Sequence, residues 1–341
     1  MSQHLFTTTT MMGVVQSLKT PSSFLLDMFF GLEQISDTEE VVFDVRDGAR
    51  RLAPFVSPLV AGAVQATEGH TTKKFKPAYL KPKEVIDPSR PVKRVVGERI
   101  GGEMAPTDRA QLLVGNLINE QIDQINRRLE VMASEVLTTG KVTISGEQYA
   151  TQVVDFGRDT DHTITLTSGS KWGETGVDPL EDLDAWAMLI LKRTGSRPNQ
   201  VVMGTDAWAV FKKSPSVESR LDVRRVGDAS LNLGGPDSVG GTYMGTVDGF
   251  DIYVYADWYI DPADGQEKPV LPTNQVVMAS RAMQGTRAFG AILDAEAGYR
   301  AMPYFPKSWI EEDPSVRYVM TQSAPLLVPT RPNASLAATV R

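Results

Sequence analysis

The chain has 341 residues and is acidic, with 35 Lys and Arg against 42 Asp and Glu and a formal net charge of −7. This balance argues against a protein whose task is to grip nucleic acid, because such proteins usually carry a basic surface. Cysteine is absent, which excludes disulfides, thiolate nucleophiles and Cys-ligated zinc. The longest unbroken apolar run, 185–191, is far shorter than the roughly 18 residues of a membrane-spanning helix. Since the N-terminus also lacks a secretory signal pattern, the sequence predicts a cytosolic product.

The first third of the chain shows little regular periodicity. Residues 1–50 mix short apolar runs with polar stretches, and residues 54–96 contain six prolines. The segment 75–83, Phe-Lys-Pro-Ala-Tyr-Leu-Lys-Pro-Lys, is predicted to be extended, because proline restricts both itself and the residue before it. A long extended excursion is unusual inside a compact domain, and we expect it to be stabilised by lying on a neighbouring molecule.

The same region is basic in an otherwise acidic chain. Residues 66–100 contain nine Lys and Arg and four acids, which gives a local charge of +5. The remainder of the chain therefore has a net charge of −12. Charge complementarity of this kind favours self-association. A solvated charged loop explains the pattern about equally well.

A long amphipathic helix is predicted over 107–139. Apolar residues recur there mostly three to five positions apart, with no proline inside the pattern. Thr107 or Asp108 is expected to cap its start, and Gly140 to end it in the left-handed conformation. About 32 residues at 1.5 Å each span roughly 48 Å, which suits a spine that crosses a domain. Gly115 is its weakest position.

The second half of the chain combines strands with two further helices. The sequence Asp178-Pro-Leu-Glu offers an N-cap, a proline at the first helical position and a capping-box glutamate, and it predicts a helix that stops at Gly195. Another helix is expected to open at Thr205 or Asp206. Strands are predicted at 141–145, 152–156, 200–203, 250–255, 275–278 and 316–328. The fold class is therefore α+β.

Catalytic patterns are hard to find. The three histidines, His4, His70 and His162, are scattered, and none has a partner at metal-ligand spacing. No Gly-x-Ser-x-Gly elbow and no phosphate-binding Gly-x-x-x-x-Gly-Lys-Ser/Thr loop occurs. The glycine-rich stretch 227–249 lacks the strand-then-helix setting of a phosphate site, and we predict a mobile surface loop there.

An acidic cluster is the remaining candidate for chemistry. Glu181, Asp182 and Asp184 have carboxylates that could ligate a metal, but acids are expected at the start of a helix because they favour its dipole. A carbohydrate-active or metal-dependent enzyme would need convergent acids in a pocket, and no spacing indicates one. We therefore predict no catalytic residue, no cofactor and no metal site.

Several motifs in order give the chain a family resemblance. The most specific are Pro-Phe-Val-Ser-Pro-Leu-Val-Ala-Gly at 54–62 and the extended segment at 75–83. Towards the C-terminus they are Tyr-Phe-Pro-Lys-Ser-Trp at 304–309, Asp-Pro at 313–314 and Thr-Gln-Ser-Ala-Pro-Leu-Leu at 321–327. Together they extend over nearly the whole chain, which resembles the phage major capsid protein E family.

The resemblance implies the Hong Kong 97-type capsid fold. Residues 1–53 are then an N-terminal arm, and residues 54–100 include the extended E-loop. Residues 101–177, with the long helix as spine, form a peripheral domain to which residues 291–341 return. Residues 178–290 form an axial domain that meets its copies around five- and six-fold axes.

A structural function follows from the resemblance. Copies of the chain are expected to form hexamers and pentamers that close an icosahedral shell around a packaged double-stranded DNA genome, first in the host cytoplasm and finally in the virion. A scaffold protein, a decoration protein and a portal are the implied partners. A cellular nanocompartment shell of the same fold is the alternative. The E-loop candidates for contact with a neighbouring subunit are Lys73, Lys74, Lys76, Lys81 and Lys83.

Overall fold

The computed structural model describes residues 8–17, 23–38, 40–46, 70–77, 79–95, 98, 104–146, 149–220, 240–313 and 315–341. The helices are α1 (Thr8–Ser17), α2 (Phe24–Phe29), α3 (Pro106–Thr139), α4 (Pro179–Thr194), α5 (Thr205–Phe211) and α6 (Pro215–Arg220). The strands are β1 (Leu32–Ile35), β2 (Val41–Arg46), β3 (His70–Phe75), β4 (Lys83–Ile86), β5 (Lys141–Gly146), β6 (Tyr149–Asp155), β7 (Thr163–Thr165), β8 (Gln200–Met203), β9 (Gly241–Val247), β10 (Phe250–Tyr255), β11 (Trp258–Ile260), β12 (Glu267–Pro269), β13 (Gln275–Ala279), β14 (Gly285–Phe289), β15 (Phe305–Glu311), β16 (Val316–Gln322), β17 (Pro325–Pro329) and β18 (Ser335–Thr339). No helix in this part of the chain is both long and apolar enough to span a bilayer.

The longest element is α3, which confirms the predicted spine helix. Its 34 residues span about 51 Å, and Gly140 ends it in the left-handed conformation with a φ of 71°. The predicted cap is wrong, because Ala105 occupies the N-cap position and Pro106 is the first helical residue. Proline fits there since the N–H groups of the first turn have no helical partner. Thr107 and Asp108 lie inside that turn.

Two hydrophobic cores lie along α3. Its N-terminal half packs Val114, Ile118 and Ile122 against α1, β4 and β16. Its C-terminal half packs Ile125 and Leu129, among others, in a core to which α2, β13, β17 and β18 contribute. The spine helix therefore contributes side chains to both cores.

The largest sheet has six strands in the order β7–β18–β13–β8–β10–β9. β18 runs parallel to β7 and β10 runs parallel to β8, whereas the other pairs are antiparallel. Val201 and Met203 of β8 share a core with α4 and α5, while Val202 between them faces the core beside α3. Both faces of the sheet are covered, which explains why the predicted strand 200–203 is apolar at three successive positions.

Helix α4 confirms the helix predicted after Asp178. The Asp178 side chain accepts a hydrogen bond from the Leu180 N–H at 3.0 Å, and Gly195 ends the helix with a φ of 73°. Helix α5 begins at Thr205, as predicted, with Gly204 at its N-cap position.

Two three-stranded sheets and three two-stranded ladders complete the described part of the chain. Their orders are β1–β14–β17, β15–β16–β4, β2–β3, β5–β6 and β11–β12. The predicted strand 316–328 is wrong as a single element, because β16 and β17 belong to different sheets. The C-terminal segment 291–341 also contributes β18 to the six-stranded sheet. The division into N-terminal arm, E-loop, peripheral and axial parts stays a prediction.

Helices α1 and α2 lie in the first third of the chain, where the sequence shows little regular periodicity. Helix α2 contributes to the subunit's own core, where Leu25, Leu26 and Phe30 are at most 2% exposed. The short run from Phe24 to Phe30 holds one charged residue among six apolar ones, so that most of its surface can be buried. Residues 23–30 are therefore held by the subunit itself.

The prediction of a mobile loop at 227–249 is wrong for its later part. Residues 241–247 form β9, at the edge of the six-stranded sheet and antiparallel to β10. Residues 227–239 of that loop lie outside the described residues, as do residues 54–69 of the predicted E-loop region.

Candidate assembly surface

The predicted contact lysines lie in two segments, Lys73, Lys74 and Lys76 at β3 and just after it, and Lys81 and Lys83 at the start of β4 and just before it. Lys73 and Lys74 lie in β3, which pairs antiparallel with β2. Lys73 Nζ donates a hydrogen bond to the main-chain carbonyl of Asp155 at the end of β6. Phe43 of β2 contacts Phe156, with 5.6 Å between the ring centroids. The β2–β3 ladder is therefore anchored on its own subunit.

Two further lysines, Lys81 just before β4 and Lys83 at its start, lie above aromatic rings. Lys81 Nζ is 4.8 Å from the centroid of the Tyr79 ring, and Lys83 Nζ is 4.9 Å from that of Tyr318. Such contacts are worth about 0.5–1 kcal/mol at exposed sites. They orient the two lysines while both side chains remain exposed.

Lys73, Lys81 and Lys83 thus contact groups within the chain. Lys74 and Lys76 are exposed. Contact of these lysines with a neighbouring subunit stays a prediction.

Strand β1 is an edge strand whose side chains are all exposed. It runs parallel to β14, yet Leu32 and Ile35 are 53% and 55% exposed. Parallel strands are usually buried on both faces because another layer covers them. β1 therefore presents apolar surface that the described part of the subunit leaves uncovered.

A second apolar surface lies beside the spine helix. A groove of about 540 Å³ lies between α3, the β11–β12 hairpin and the residues Leu80 and Pro82. Trp258 and Ile260 of β11 line one side and are 47% and 72% exposed. Arg127 and Arg128 of α3 line another side. Glu267 of β12 also lines the groove, which therefore combines exposed apolar area with charges of both signs.

Ion pairs stiffen the hairpin beside this groove. Lys268 Nζ lies 2.6 Å from a carboxylate oxygen of Asp261 and 2.7 Å from one of Asp264. These hydrogen bonds, that of Asp261 foremost, raise the pKa of Lys268 and keep it charged. Tyr259 of β11 packs on the main core, so the two residues that flank it point to the opposite, exposed side.

A half-buried arginine, Arg158, caps the C-terminal end of the spine helix. Arg158 Nη1 donates to the carbonyl of Leu137 and Nη2 to that of Thr138, both at 2.6 Å. Positive charge is favourable there, because the last carbonyl groups of a helix lack helical partners. Burial lowers the pKa of the guanidinium to about 10, so it remains charged at neutral pH. Gly140 permits this approach, since a Cβ on it would lie 2.8 Å from the Arg158 Cβ.

A buried glutamate ties α3 to the N-terminal segment. The two carboxylate oxygens of Glu130 accept from the main-chain N–H groups of Leu25 at 2.7 Å and Leu26 at 3.1 Å, in the first turn of α2. The Tyr255 hydroxyl of β10 donates to the same carboxylate at 3.0 Å. Burial raises the pKa of Glu130 to about 6 despite these three donors. One carboxylate therefore connects the spine, α2 and the six-stranded sheet.

The acidic cluster singled out in the sequence has structural partners. Asp182 accepts a hydrogen bond from the Trp172 indole N–H at 2.8 Å, and Asp184 forms an ion pair with Arg197 at 2.8 Å. Glu181 is exposed in the first turn of α4. The described residues hold no group of three or more His, Asp or Glu side chains that could bind a metal ion.

The histidines do not converge on a site within the described residues. His162 is buried, and its Nδ1 lies 3.0 Å from the carbonyl oxygen of Ser335. Burial lowers its pKa, which suits a neutral structural side chain. His70 belongs to β3, and His4 lies outside the described residues.

Sequence reasoning missed the groove and the exposed strand. A local signal for the strand is present at 258–260, where three residues with high strand propensity, Trp-Tyr-Ile, are followed by Asp261 and Pro262. In the structure the exposed side chains of this strand flank a less exposed Tyr259. No local pattern links that strand to Arg127 or Arg128, because only the fold brings them together.

The chain is similar to phage head proteins along its whole length. It is 29% identical over 338 residues to the major capsid protein of Escherichia phage lambda, with 96% of this chain and 97% of that protein covered. It is 31% identical to the major capsid protein of Enterobacteria phage P21, with 99% of each covered.

The fold leads to the same family. A crystal structure of a protein assigned to the capsid of an Escherichia coli CFT073 prophage matches with a TM-score of 0.77 at 25% identity, covering 98% of this chain and 99% of that one. The expected α+β fold of the Hong Kong 97 type is confirmed. The model of the family described as phage major capsid protein E matches residues 7–340. The chain belongs to the phage major capsid protein E family.

Proposed function

We propose that the chain is the repeating subunit of a tailed-phage head. It forms hexamers and pentamers, and these close an icosahedral shell around packaged double-stranded DNA. The full-length similarity to the lambda and P21 head proteins carries the proposal. The net charge of −7 suits a container that does not hold its DNA tightly, because tight binding needs basic surface.

The surface of the subunit supports a role in self-association. β1 and the groove beside α3 both expose large apolar side chains. Large contiguous apolar patches are rare on monomeric proteins and usually mark contact surfaces. The E-loop lysines carry the second part of this proposal, in which they meet acidic surface on neighbouring copies. They are Lys73, Lys74, Lys76, Lys81 and Lys83.

Three further partners belong to the proposal, namely a scaffold protein during assembly, a portal and a decoration protein. The subunit is made in the host cytoplasm and ends in the virion. The shell encloses DNA without reading its sequence, and no catalytic step takes place on the subunit.

Negative-stain microscopy of particles that contain the chain tests the proposal. Angular heads with nuclease-protected double-stranded DNA are the expected result. Small shells of uniform size that hold protein cargo and no DNA would favour a nanocompartment instead. A chain that stays monomeric when made together with its scaffold would contradict the proposed self-assembly.

A further inference from the structure

We propose that His162 is an acid-sensitive lock, which holds the turn between β6 and β7 on the six-stranded sheet at neutral pH and releases it on acidification. The lock is a conformational device within one subunit. It therefore goes beyond the proposed function and can be tested before any shell forms. Three observations carry it, namely a joint between several elements, a buried ring in that joint and two cations near the ring.

The turn joins the spine helix to other parts of the subunit. Arg158 caps the end of α3 and also donates to the Thr163 hydroxyl at 2.7 Å. The Asp159 N–H donates to the side chain of Asn333 at 2.8 Å. The guanidinium of Arg193 in α4 lies 2.6 Å from the Asp159 carboxylate. The turn therefore ties α3 to α4 and to the segment just before β18.

His162 attaches this joint to the sheet. It is the last residue of a short 3₁₀ turn, Thr160–His162, and is only 1% exposed. Its Nδ1 lies 3.0 Å from the carbonyl oxygen of Ser335, the first residue of β18. Because a carbonyl oxygen can only accept, Nδ1 carries a proton and donates in this contact. The next three residues continue as β7, parallel to β18.

A positive charge on this ring is unfavourable while the joint is closed. Burial is the main reason why the pKa of His162 lies below its ordinary value. The Ser335 carbonyl and the Asp159 carboxylate favour the charged ring, whereas the guanidinium groups of Arg158 and Arg193 repel it. Since the pKa is lowered, burial and the two cations outweigh the two favourable partners.

Acid therefore favours the open turn. When the turn leaves the sheet, the ring enters water and recovers its ordinary pKa of 6.5. The open form then binds a proton more tightly than the closed form, so the closed joint is stable above pH 6.5 and weakens as the pH falls below it. One pH unit lower, the open form gains up to about tenfold in relative population. Opening also withdraws Arg158 from the end of the spine helix.

Amide hydrogen exchange of the unassembled subunit tests the lock, with mass spectrometry following residues 156–166 at pH 7.5 and pH 5.5. After correction for intrinsic exchange rates, protection in wild type should fall about three- to tenfold at the lower pH. In His162→Asn it should stay constant within about twofold, because the asparagine amide still donates to Ser335 but does not titrate. His70→Asn is the matched control and should behave like wild type. Residues 205–217, in α5 and α6, should keep their protection in every variant.

A second measurement on wild type does not depend on whether His162→Asn folds. Exchange of the imidazole Cε1 hydrogen, followed over days at a series of pH values, reports the protonation midpoint of each histidine. The midpoint of His162 should lie below 6.5.

Three results would each overturn the lock. They are a midpoint of His162 at or above its ordinary value, an equal loss of protection in wild type and His162→Asn, and constant protection in wild type. The proposed function would stand in all three cases, since none of these measurements involves a shell.

Discussion

The guanidinium of Arg158 lies 2.6 Å from the carbonyl oxygen of Leu137, where the spine helix ends. The chain leaves α3, forms the β5–β6 hairpin and returns with Arg158 to the turn that it left. Buried carbonyl groups without partners are costly, and this side chain supplies partners to two of them. The end of the spine is thus fixed by a residue outside the helix.

Arg158→Ala is expected to lower the free energy of unfolding of the unassembled subunit by about 3 kcal/mol, because hydrogen bonds from a charged donor contribute about 1.5–3 kcal/mol each. Urea unfolding monitored by circular dichroism measures the loss. Arg193→Ala is the matched control, since Arg193 forms a half-exposed ion pair with Asp159 at 2.6 Å. Exposed pairs are worth about 0–1 kcal/mol. Equal losses for both variants would contradict the capping role.

Glu130 makes subunit stability depend on pH in a defined direction. Its pKa is about 6 in the folded subunit, against an ordinary value of 4.5. Because the folded state binds this proton more tightly, the stabilising contribution is fully present below pH 4.5 and is lost as pH rises through 6. Relative to Glu130→Gln, wild type should therefore gain about 2 kcal/mol in free energy of unfolding between pH 7 and pH 4.5.

Urea unfolding of wild type and Glu130→Gln at several pH values checks this. Glu120→Gln, at an exposed position of the same helix, controls for the loss of one carboxylate. A difference between wild type and Glu130→Gln that stays constant from pH 7 to pH 4.5 would refute the assignment.

Two substitutions at Gly115 test whether the spine helix must be continuous at this position. A Cβ at this position meets no atom within 4 Å, so Gly115→Ala should stabilise the helix by up to about 1 kcal/mol. Gly115→Pro should cost about 3 kcal/mol or more, because proline removes a helical hydrogen bond and clashes with the preceding turn. Thermal unfolding and the yield of normal-sized heads measure both variants. Normal heads from the proline variant would show that the helix need not be continuous.

Elements with local signals were predictable from the sequence. Helix α4 carries its N-cap Asp178 and its terminating Gly195 within its own segment. Helix α2 has only six residues, which is too short to be stable alone. It depends on Glu130, 105 residues from its partner Leu25, and no sequence window contains both.

On the candidate surface, too, local features were predictable from the sequence, whereas contacts between distant segments were not. The basic character of Lys73, Lys74 and Lys76 is visible in the sequence, but the carbonyl that Lys73 contacts belongs to a distant hairpin. Continuous alternation over 316–328 also conceals that β16 and β17 join different sheets. Pairing partners of strands are set by the whole fold, so local alternation cannot distinguish these cases.

Reversing exposed charge in the E-loop region should affect assembly more than folding. Lys74→Glu with Lys76→Glu changes the local charge by four units, and each surface pair is worth only about 0–1 kcal/mol to the subunit. Every copy in the shell repeats the loss. Particle yield should therefore fall, with partial recovery as added salt screens the repulsion.

Light scattering against ionic strength measures this effect. Lys212→Glu with Lys213→Glu makes the same charge change at exposed positions after α5, and should depend less on salt. Identical curves for the two double variants would mean that total charge alone matters and that the E-loop lysines are merely solvated.

The strand order of the six-stranded sheet also determines when a newly made subunit can complete its fold and enter a shell. β18 lies between β7 and β13 and pairs with both, so β7 has no partner in this sheet and β13 keeps an open edge until residue 339 has been synthesised. At about 5–20 residues per second, the delay between β13 and β18 is on the order of 3–12 s. A nascent chain on the ribosome cannot present the finished sheet during that time. Translation itself therefore delays entry into the shell until the subunit can be complete.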